Sequence, residues 1–96
     1  MDISNKRVHI RIEGRVQGVG FSAFVEDNAN RFGLSGWVRN RWDGSVEAAA
    51  EGPELELKEF IKAVERGPRS GYVSQMLVDW QPASGEFIGF IVRRTD

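Results

Sequence analysis

A change of hydrophobic period across one glycine-rich segment, residues 14–22, restricts the possible folds of this chain more than any other feature. Before the segment, Val8, Ile10 and Ile12 alternate with polar residues, which is the period-two pattern of a strand with one buried face. After it, apolar residues recur at helical spacing as far as Gly33, a suitable helix stop. The apolar set of this helix is Phe21, Phe24, Val25, Ala29 and Phe32. The segment therefore predicts a tight bend from a strand into a helix.

The middle of the chain predicts a hairpin followed by a second helix. Asp43-Gly44 separates two strand-like runs within residues 34–51, and this dipeptide favours a two-residue hairpin turn. Pro53 suits the first position of the second helix, which Gly67-Pro68 ends. The buried stripe of that helix is predicted to consist of Leu57, Phe60, Ile61 and Val64.

Two more strands complete the chain. The first is predicted to have one face formed by Tyr72, Met76, Val78 and Trp80. The second is predicted over residues 86–94, with one face formed by Ile88, Phe90 and Val92. The element order is then βαββαβ with one extra C-terminal strand, and right-handed crossovers place both helices on one face of an antiparallel sheet. This is an α+β fold, the ferredoxin-like α/β sandwich.

Length and composition exclude several classes of protein. The 96 residues suit a single domain with one core, and residues 1–6 are polar and expected to be frayed. Because 13 basic and 14 acidic residues leave a net charge of −1, the chain lacks the general basic field of a nucleic-acid-binding protein. Cysteine is absent and His9 is the only histidine, which argues against disulfides and against thiolate or histidine-cluster metal sites. His9 itself is expected to be a surface residue on the polar face of its strand.

The apolar runs of the chain are short. None reaches the roughly 18 residues that a membrane span needs, and the N-terminus lacks the pattern of a signal peptide. A cytoplasmic protein without membrane association is therefore expected.

The glycines of residues 14–22 predict an anion site. Gly14, Gly18 and Gly20 accept positive φ angles and let the backbone approach a ligand closely. A bend of this kind at a helix N-terminus leaves several backbone N–H groups without helical acceptors, next to the positive end of the helix dipole. Such groups bind anions, above all phosphate. The spacing matches neither a nucleotide P-loop nor a dinucleotide-binding loop, and a glycine-rich connection that binds nothing is the alternative.

Two separated motifs resemble the acylphosphatase family, and the resemblance extends over residues 8–94. They are Gly14-Arg15-Val16-Gln17-Gly18-Val19-Gly20-Phe21 and, after the predicted helix, Gly36-Trp37-Val38-Arg39-Asn40 with Asp43-Gly44-Ser45-Val46-Glu47. The resemblance implies one domain over residues 1–96 and an enzyme that hydrolyses the carboxyl-phosphate bond of small acyl phosphates, giving a carboxylate and phosphate. It implies no metal and no organic cofactor.

The resemblance also assigns roles to individual residues. Backbone amides of a cradle would hold the phosphate, and the cradle consists of residues 15–20, namely Arg15, Val16, Gln17, Gly18, Val19 and Gly20. Asn40 matches the asparagine that positions the attacking water in this family. The family's phosphate-clamping arginine stands directly after the phenylalanine, where this chain has Ser22.

Ser22 is the main departure from the family pattern. Phosphoryl transfer depends mostly on positioning and charge stabilisation, and a serine hydroxyl supplies a hydrogen bond without a charge. The resemblance therefore predicts an acylphosphatase-type site with severely reduced hydrolysis and weakened phosphate binding. A helix cap is the simpler interpretation of the Ser22 hydroxyl, because no histidine or lysine neighbour is evident to activate it as a nucleophile.

Three other arginines are candidates to replace the missing guanidinium. Arg15 lies in the same loop, but its sequence position does not set the direction of its side chain. Arg39 and Arg41 flank Asn40 and are expected to project from the opposite face of the strand. For Asn40 itself, the alternative to water positioning is a local backbone contact beside the hairpin.

Two other functions stay open. The first is a non-catalytic module that binds phosphate or acyl-phosphate-like groups in the cradle. The second is binding of single-stranded nucleic acid, because residues 37–42 interleave tryptophan and arginine. The net charge and the lack of an RNA-binding consensus argue against it, so no nucleic-acid partner is expected. Trp37 is expected in the core and Trp42 partly exposed near the turn. The expected protein is a monomer whose partner is a small acyl phosphate or inorganic phosphate.

Overall fold

The elements of the computed structural model, which describes residues 4–96, follow the predicted order. Within these residues they are β1 (Asn5–Arg15), α1 (Phe21–Arg31), β2 (Ser35–Asn40), β3 (Val46–Pro53), α2 (Glu54–Arg66), β4 (Tyr72–Pro82) and β5 (Phe90–Val92). The predicted hairpin is formed by β2 and β3. Neither helix in this part of the chain is long and apolar enough to cross a membrane.

All of these strands belong to one sheet, in the order β4-β1-β3-β2-β5. β1 pairs antiparallel with β3 and β4, and β2 pairs antiparallel with β3. β5 runs parallel to β2, with Phe90 opposite Gly36, so the prediction of a wholly antiparallel sheet is wrong at this edge. The reason is the path of the chain, which leaves β4 at one edge and crosses the whole sheet before it pairs at the other. The ferredoxin-like fold class is confirmed.

One face of the sheet packs against both helices. β1 places Val8, Ile10 and Ile12 on this face, all fully buried, as their alternation predicts. They share a single hydrophobic cluster with helical residues, among them Phe21, Val25, Ala29, Leu57, Phe60 and Val64. Removing a large apolar side chain from water stabilises a fold by about 1.5–3 kcal/mol. This layer is therefore the main source of stability, and it holds the end of β1 and the start of α1 in fixed positions.

Both helices end at the predicted glycines. Beyond α1, the Leu34 amide donates to the Ala29 carbonyl at 2.9 Å and Gly33 has φ 70°, which together form a Schellman motif. Beyond α2, the Gly67 amide donates to Ala63 at 3.1 Å. Pro53 is the last residue of β3 and not the first of α2, a shift of one position from the prediction.

The sheet includes part of the N-terminal segment that was expected to be frayed. β1 already begins at Asn5, and Lys6 pairs with Gly52 on one side and with Pro82 on the other. Pairing on both sides gives the backbone polar groups partners, which orders the segment whatever its side chains are. Residues 1–3 lie outside the described residues.

A bulge in β4 changes the predicted faces of that strand. The pairing register with β1 skips Ser74, so the inward and outward alternation reverses there. Val73 and Met76 pack against the core, whereas Tyr72 is exposed. The prediction that Tyr72 and Met76 share a face is therefore wrong.

The last strand is shorter than the predicted residues 86–94. The preceding loop is held by Glu51, whose carboxylate accepts bonds from the Ser84 and Gly85 amides at 2.8 and 2.9 Å. These bonds fix the loop near β3, and Ile88 is 96% exposed and not on a buried strand face. Only Phe90–Val92 then pairs regularly with β2.

The helix-free face, which is the side of the sheet opposite the helices, carries His9, Trp37, Arg39 and Glu47. Trp37 is 6% exposed, but its cover comes from the guanidinium groups of Arg39 and Arg93, 4.8 and 4.6 Å from its ring centroid. Trp37 is therefore buried as expected, although its strand register places it on the helix-free face and outside the main hydrophobic cluster. Trp42 is 83% exposed beside the hairpin turn, as expected.

Glu47 is the centre of an ion network on this face. Its carboxylate accepts bonds from Arg39 Nε at 2.9 Å and from Arg41 Nη1 at 2.7 Å, and His9 Nε2 lies 2.5 Å away. Burial by itself raises the pKa of Glu47, but the bonds from Arg41, His9 and Arg39 outweigh it and lower the pKa to about 2. His9 is thus half-buried in a network and not the freely solvated residue expected.

The low pKa of Glu47 predicts a loss of stability in acid. The pKa of 4.5 expected for the unfolded chain lies above the folded value of about 2, so the contribution is complete above pH ~4.5. It disappears as the pH falls towards 2, by on the order of 3 kcal/mol. Glu47→Gln should flatten this part of the curve, measured as the free energy of unfolding in urea at several pH values.

The matched control for this experiment is Glu65→Gln, an exposed position on α2. It should retain the acid dependence of the original chain. An unchanged slope between pH 5 and 2 in Glu47→Gln, by contrast, would show that the network does not hold the carboxylate charged.

Candidate active site

A short bend between β1 and α1 carries the predicted anion site. Gly18 and Gly20 have φ angles of 73° and 72°, in the left-handed region that favours glycine. Gly20 occupies the N-cap position of α1, and no side chain caps the helix there. The residue types at these two positions therefore allow a bend that a chain with larger side chains would adopt only under strain.

The bend leaves a continuous run of backbone donors without acceptors. The first bond of α1 runs from the Phe24 amide to the Gly20 carbonyl at 3.0 Å. Within residues 4–96, none of the amides of residues 17–23 donates to a backbone or side-chain acceptor in the protein. Donors of this kind at a helix N-terminus are the usual components of an anion site.

A small concavity of about 140 Å³ lies at this bend. Its lining consists of Val16, Gly18, Gly20, Phe21, Ser22, Ala23 and Asn40. None of these described residues carries a formal charge, so the polar groups available to a ligand are backbone amides, the Ser22 hydroxyl and the Asn40 amide. The volume suits a group of phosphate size and not a nucleotide.

The core fixes the two ends of the bend. Val16 and Phe21 are each 1% exposed, so the packing of their side chains anchors both ends of the bend. On the outer side, Ser70 Oγ donates to the Val19 carbonyl at 3.1 Å. The bend is therefore held by packing and hydrogen bonds that leave its amides unoccupied.

The structure brings Ser22 and Asn40 together. Ser22 lies in the first turn of α1 and Asn40 is the last residue of β2, and Ser22 Oγ donates to Asn40 Oδ1 at 3.3 Å. The hydroxyl makes no capping bond to the helix, so the helix-cap interpretation of Ser22 is wrong. Asn40 has its side chain on the concavity and not on the hairpin backbone.

Three residues of the predicted cradle do not line the concavity. Arg15 ends β1 and is exposed, without an acidic partner among the described residues. The Gln17 side chain is directed to the β2–β3 hairpin, where it donates to the Arg41 and Ser45 carbonyls. Val19 packs partly against the core. None of these three residues lines the concavity, although the amides of Gln17 and Val19 belong to the unpaired run.

Arg39 and Arg41 project away from the concavity, as expected from their positions beside Asn40. Both guanidinium groups bind Glu47 on the helix-free face. The hydrogen bond to Glu47 and its charge raise the pKa of Arg41 further above its ordinary value. Neither arginine is placed to supply the charge that Ser22 lacks.

No acid–base pair or metal site accompanies the bend. Within residues 4–96, no group of three or more histidine, cysteine, aspartate or glutamate side chains could hold a metal ion. A larger concavity of about 780 Å³ lies beside β4, near Lys6, Lys58 and Trp80. Its charges are partly paired within Lys6–Glu54–Lys58. The bend therefore remains the better candidate for chemistry.

Comparisons with known proteins establish the family of this chain. The family model described as acylphosphatase matches residues 8–92. The acylphosphatase of Salinibacter ruber is 52% identical over 91 residues, which cover 95% of this chain and 96% of that protein. The chain belongs to the acylphosphatase family. The acylphosphatase of Moorella thermoacetica is 48% identical over 80 residues, which cover 83% of this chain and 86% of that protein.

Solved structures place the acylphosphatase fold in two settings. The crystal structure of the Bacillus subtilis acylphosphatase has a TM-score of 0.89 at 40% identity, and the match covers 92% of this chain and 98% of that one. Full-length HypF, crystallised in a phosphate- and nucleotide-bound form, matches with a TM-score of 0.86 at 27% identity. That match covers 96% of this chain but only 12% of HypF. The same acylphosphatase fold therefore occurs as a small protein and within a much longer one.

The support of the bend by the hairpin was not predictable from sequence. Gln17 lies between Val16 and Gly18 in a segment predicted to be a loop, and no local pattern indicates which groups its side chain contacts. Its partners are backbone carbonyls 24 and 28 residues away, which have no sequence signature at all. Only the pairing of β1, β2 and β3 brings them within reach.

The left-handed backbone at Gly20 predicts a stability effect. A Cβ at this position meets no atom within 4 Å, so the cost of Gly20→Ala is conformational and should be about 1–2 kcal/mol. Gly20→Asn should cost less, because asparagine tolerates this region better. Urea denaturation measures both. Equal losses for the two variants would mean that the bend relaxes out of its left-handed conformation.

Proposed function

We propose that this chain hydrolyses small acyl phosphates at the bend, with an activity that Ser22 reduces severely. The observation that carries the proposal is the run of unpaired amides at residues 17–23, which border a small concavity together with Asn40. Family membership supports the reaction class, since the relatives are named acylphosphatases. The substrate class and the reduced rate are inferences from the site.

The reaction needs an anion site and an oriented water. The amides would hold the phosphoryl oxygens, and their dipoles stabilise the charge that develops in the transition state. Water then attacks phosphorus, and the bond between phosphorus and the carboxyl oxygen breaks with its electron pair on the carboxylate. Both protons of the water end on phosphate oxygens, so carboxylate and dihydrogen phosphate leave. Asn40 can accept a hydrogen bond from the water through Oδ1 and donate one through Nδ2, so it orients water without titrating.

Ser22 impairs this arrangement in two ways. Its hydroxyl is short and neutral, so it supplies neither the charge nor the two-pronged contact of a guanidinium. It also donates to Asn40 Oδ1 at 3.3 Å and so occupies one of the two lone pairs through which that oxygen could accept from a water molecule. The guanidinium groups of Arg39 and Arg41 are engaged by Glu47 and do not compensate.

Ser22→Arg should restore acyl-phosphate hydrolysis. Loss of one well-placed donor typically lowers a rate by on the order of 10²–10³, and a charged clamp can be worth more. The variant should therefore raise kcat/KM for benzoyl phosphate by at least about 100-fold, measured as release of phosphate. Ser22→Lys should recover less, because an ammonium group lacks the planar fork.

Two control variants distinguish the missing charge from the hydrogen bond to Asn40 as the cause of the low activity. Ser22→Ala frees Asn40 Oδ1 without adding charge, so a gain here as large as that of Ser22→Arg would assign the impairment to the hydroxyl alone. Asn40→Ala in the arginine background should remove most of the restored activity. If Ser22→Arg stays inert, or if the original chain is already as fast, the proposed function is wrong.

A phosphate titration tests the weaker alternative of a binding module. Inorganic phosphate added to the ¹⁵N-labelled original chain should shift amide resonances of residues 17–23, with saturation only at high concentration because no cation contacts the anion. Binding without any turnover in Ser22→Arg would favour the non-catalytic module. Titration without movement of these resonances would contradict both functions.

Other expectations from sequence stay predictions. They are the monomeric state, the cytoplasmic location, the lack of cofactors and the lack of nucleic-acid or membrane partners. Of the two tryptophans on which a nucleic-acid interface was considered, Trp37 is covered by Arg39 and Arg93, and Trp42 alone exposes its ring to a base.

A further inference from the structure

Gln17 has a position that neither substrate contact nor ordinary loop structure explains. Its side-chain nitrogen Nε2 donates to the Arg41 carbonyl at 2.7 Å and to the Ser45 carbonyl at 2.8 Å. An amide nitrogen carries two hydrogens, so both donors of the side chain are used. The residue lies inside the cradle sequence, yet it does not line the concavity.

The two acceptors belong to the turn that follows Asn40. The Arg41 amide donates to the Ser45 carbonyl at 2.8 Å, and the Gly44 amide donates to the Arg41 carbonyl at 3.1 Å. Asp43 tightens the same turn by accepting bonds from the Ser45 amide and hydroxyl at 2.9 and 2.6 Å. Gln17 therefore binds a turn that is already closed by its own hydrogen bonds.

The turn does not need Gln17 for its own hydrogen bonding. Both carbonyls that Gln17 contacts keep a backbone donor if the side chain is removed, since Arg41 and Gly44 supply them. Deleting the side chain would leave no buried carbonyl without a donor, and the stability cost should stay modest. What the side chain adds is a fixed distance between the bend and the start of the turn.

That distance separates the two halves of the proposed site. The bend carries the amides of residues 17–23, and Asn40 immediately precedes Arg41 in the chain. The bend is attached to β1 and α1, whereas Asn40 is attached to β2, so chain connectivity alone does not set their spacing. An error of about 1 Å in such a spacing can cost about 100-fold in rate.

We propose that Gln17 is a positioning residue, which braces the turn after β2 against the bend and so sets where Asn40 stands relative to the bound phosphoryl group. This inference rests on the proposed function, because the rate effect requires hydrolysis at this site. It assigns Gln17 no contact with substrate. Binding of the phosphoryl group depends on the backbone amides of the bend, and orientation of water depends on the contact of Gln17 with the turn.

The test uses Gln17→Ala in the Ser22→Arg background. Kinetics with benzoyl phosphate should show kcat lowered by about 10-fold or more, with KM changed less than about threefold, because the amides that bind phosphate remain. The Tm should fall by no more than about 8 °C. Gln17→Glu, which keeps the size but has no N–H donors at neutral pH, should lower kcat at least as far.

A second measurement does not depend on turnover. In the original chain, the side-chain amide resonance of Asn40, assigned by its loss in Asn40→Ala, should shift in Gln17→Ala. The matched control is Gln81→Ala on the exposed strand β4, where the same type of side chain donates only to Asp79. It should neither shift the Asn40 resonance nor change kcat and KM when it is introduced into the Ser22→Arg variant.

The outcomes distinguish this inference from the proposed function. If Ser22→Arg is active and Gln17→Ala leaves kcat within twofold, the positioning role of Gln17 is wrong, whereas the proposed hydrolysis is not contradicted. A raised KM at constant kcat also overturns it, because Gln17 would then be a binding residue. If Ser22→Arg is inert, the function fails, and the Asn40 resonance alone decides whether Gln17 positions that side chain.

Discussion

Backbone N–H groups that find no acceptor within the protein are the constraint on which the rest of this structure depends. Buried or crowded donors of this kind are costly, so a run of them persists only at the surface and only where neighbouring structure holds the backbone. Here the buried side chains of Val16 and Phe21 hold it from below, and the left-handed Gly20 turns it into the helix. The sheet and the helices stabilise a bend that would otherwise satisfy its amides by folding differently.

The two faces of the sheet have different roles. The helix-covered face supplies the apolar core, which positions the bend and the first turn of α1. The helix-free face supplies Glu47, which forms ion pairs with Arg39 and Arg41 and keeps their charges away from the concavity. Asn40 lies between these two arginines in sequence but points to the other side. Strand alternation thus separates a neutral polar site from a charged surface within three consecutive residues.

The site that results presents hydrogen-bond donors to a ligand without a positively charged side chain. Its donors are amide dipoles, one hydroxyl and one carboxamide, all neutral. Such a site offers an anion hydrogen-bond donors but no charged side chain. The Ser22 hydroxyl, in the first turn of α1, donates to Asn40 Oδ1 across the concavity.

Sequence by itself determined the element order, the glycine bend, the hairpin at Asp43-Gly44 and the family, because each depends on local spacing or on a contiguous motif. It did not determine the parallel pairing of β5, the bulge at Ser74 or the partners of Gln17. These depend on which segments meet after the chain has crossed the sheet, and they involve backbone groups that are the same in every residue. Side-chain patterns carry no record of such contacts, so only the tertiary structure decided them.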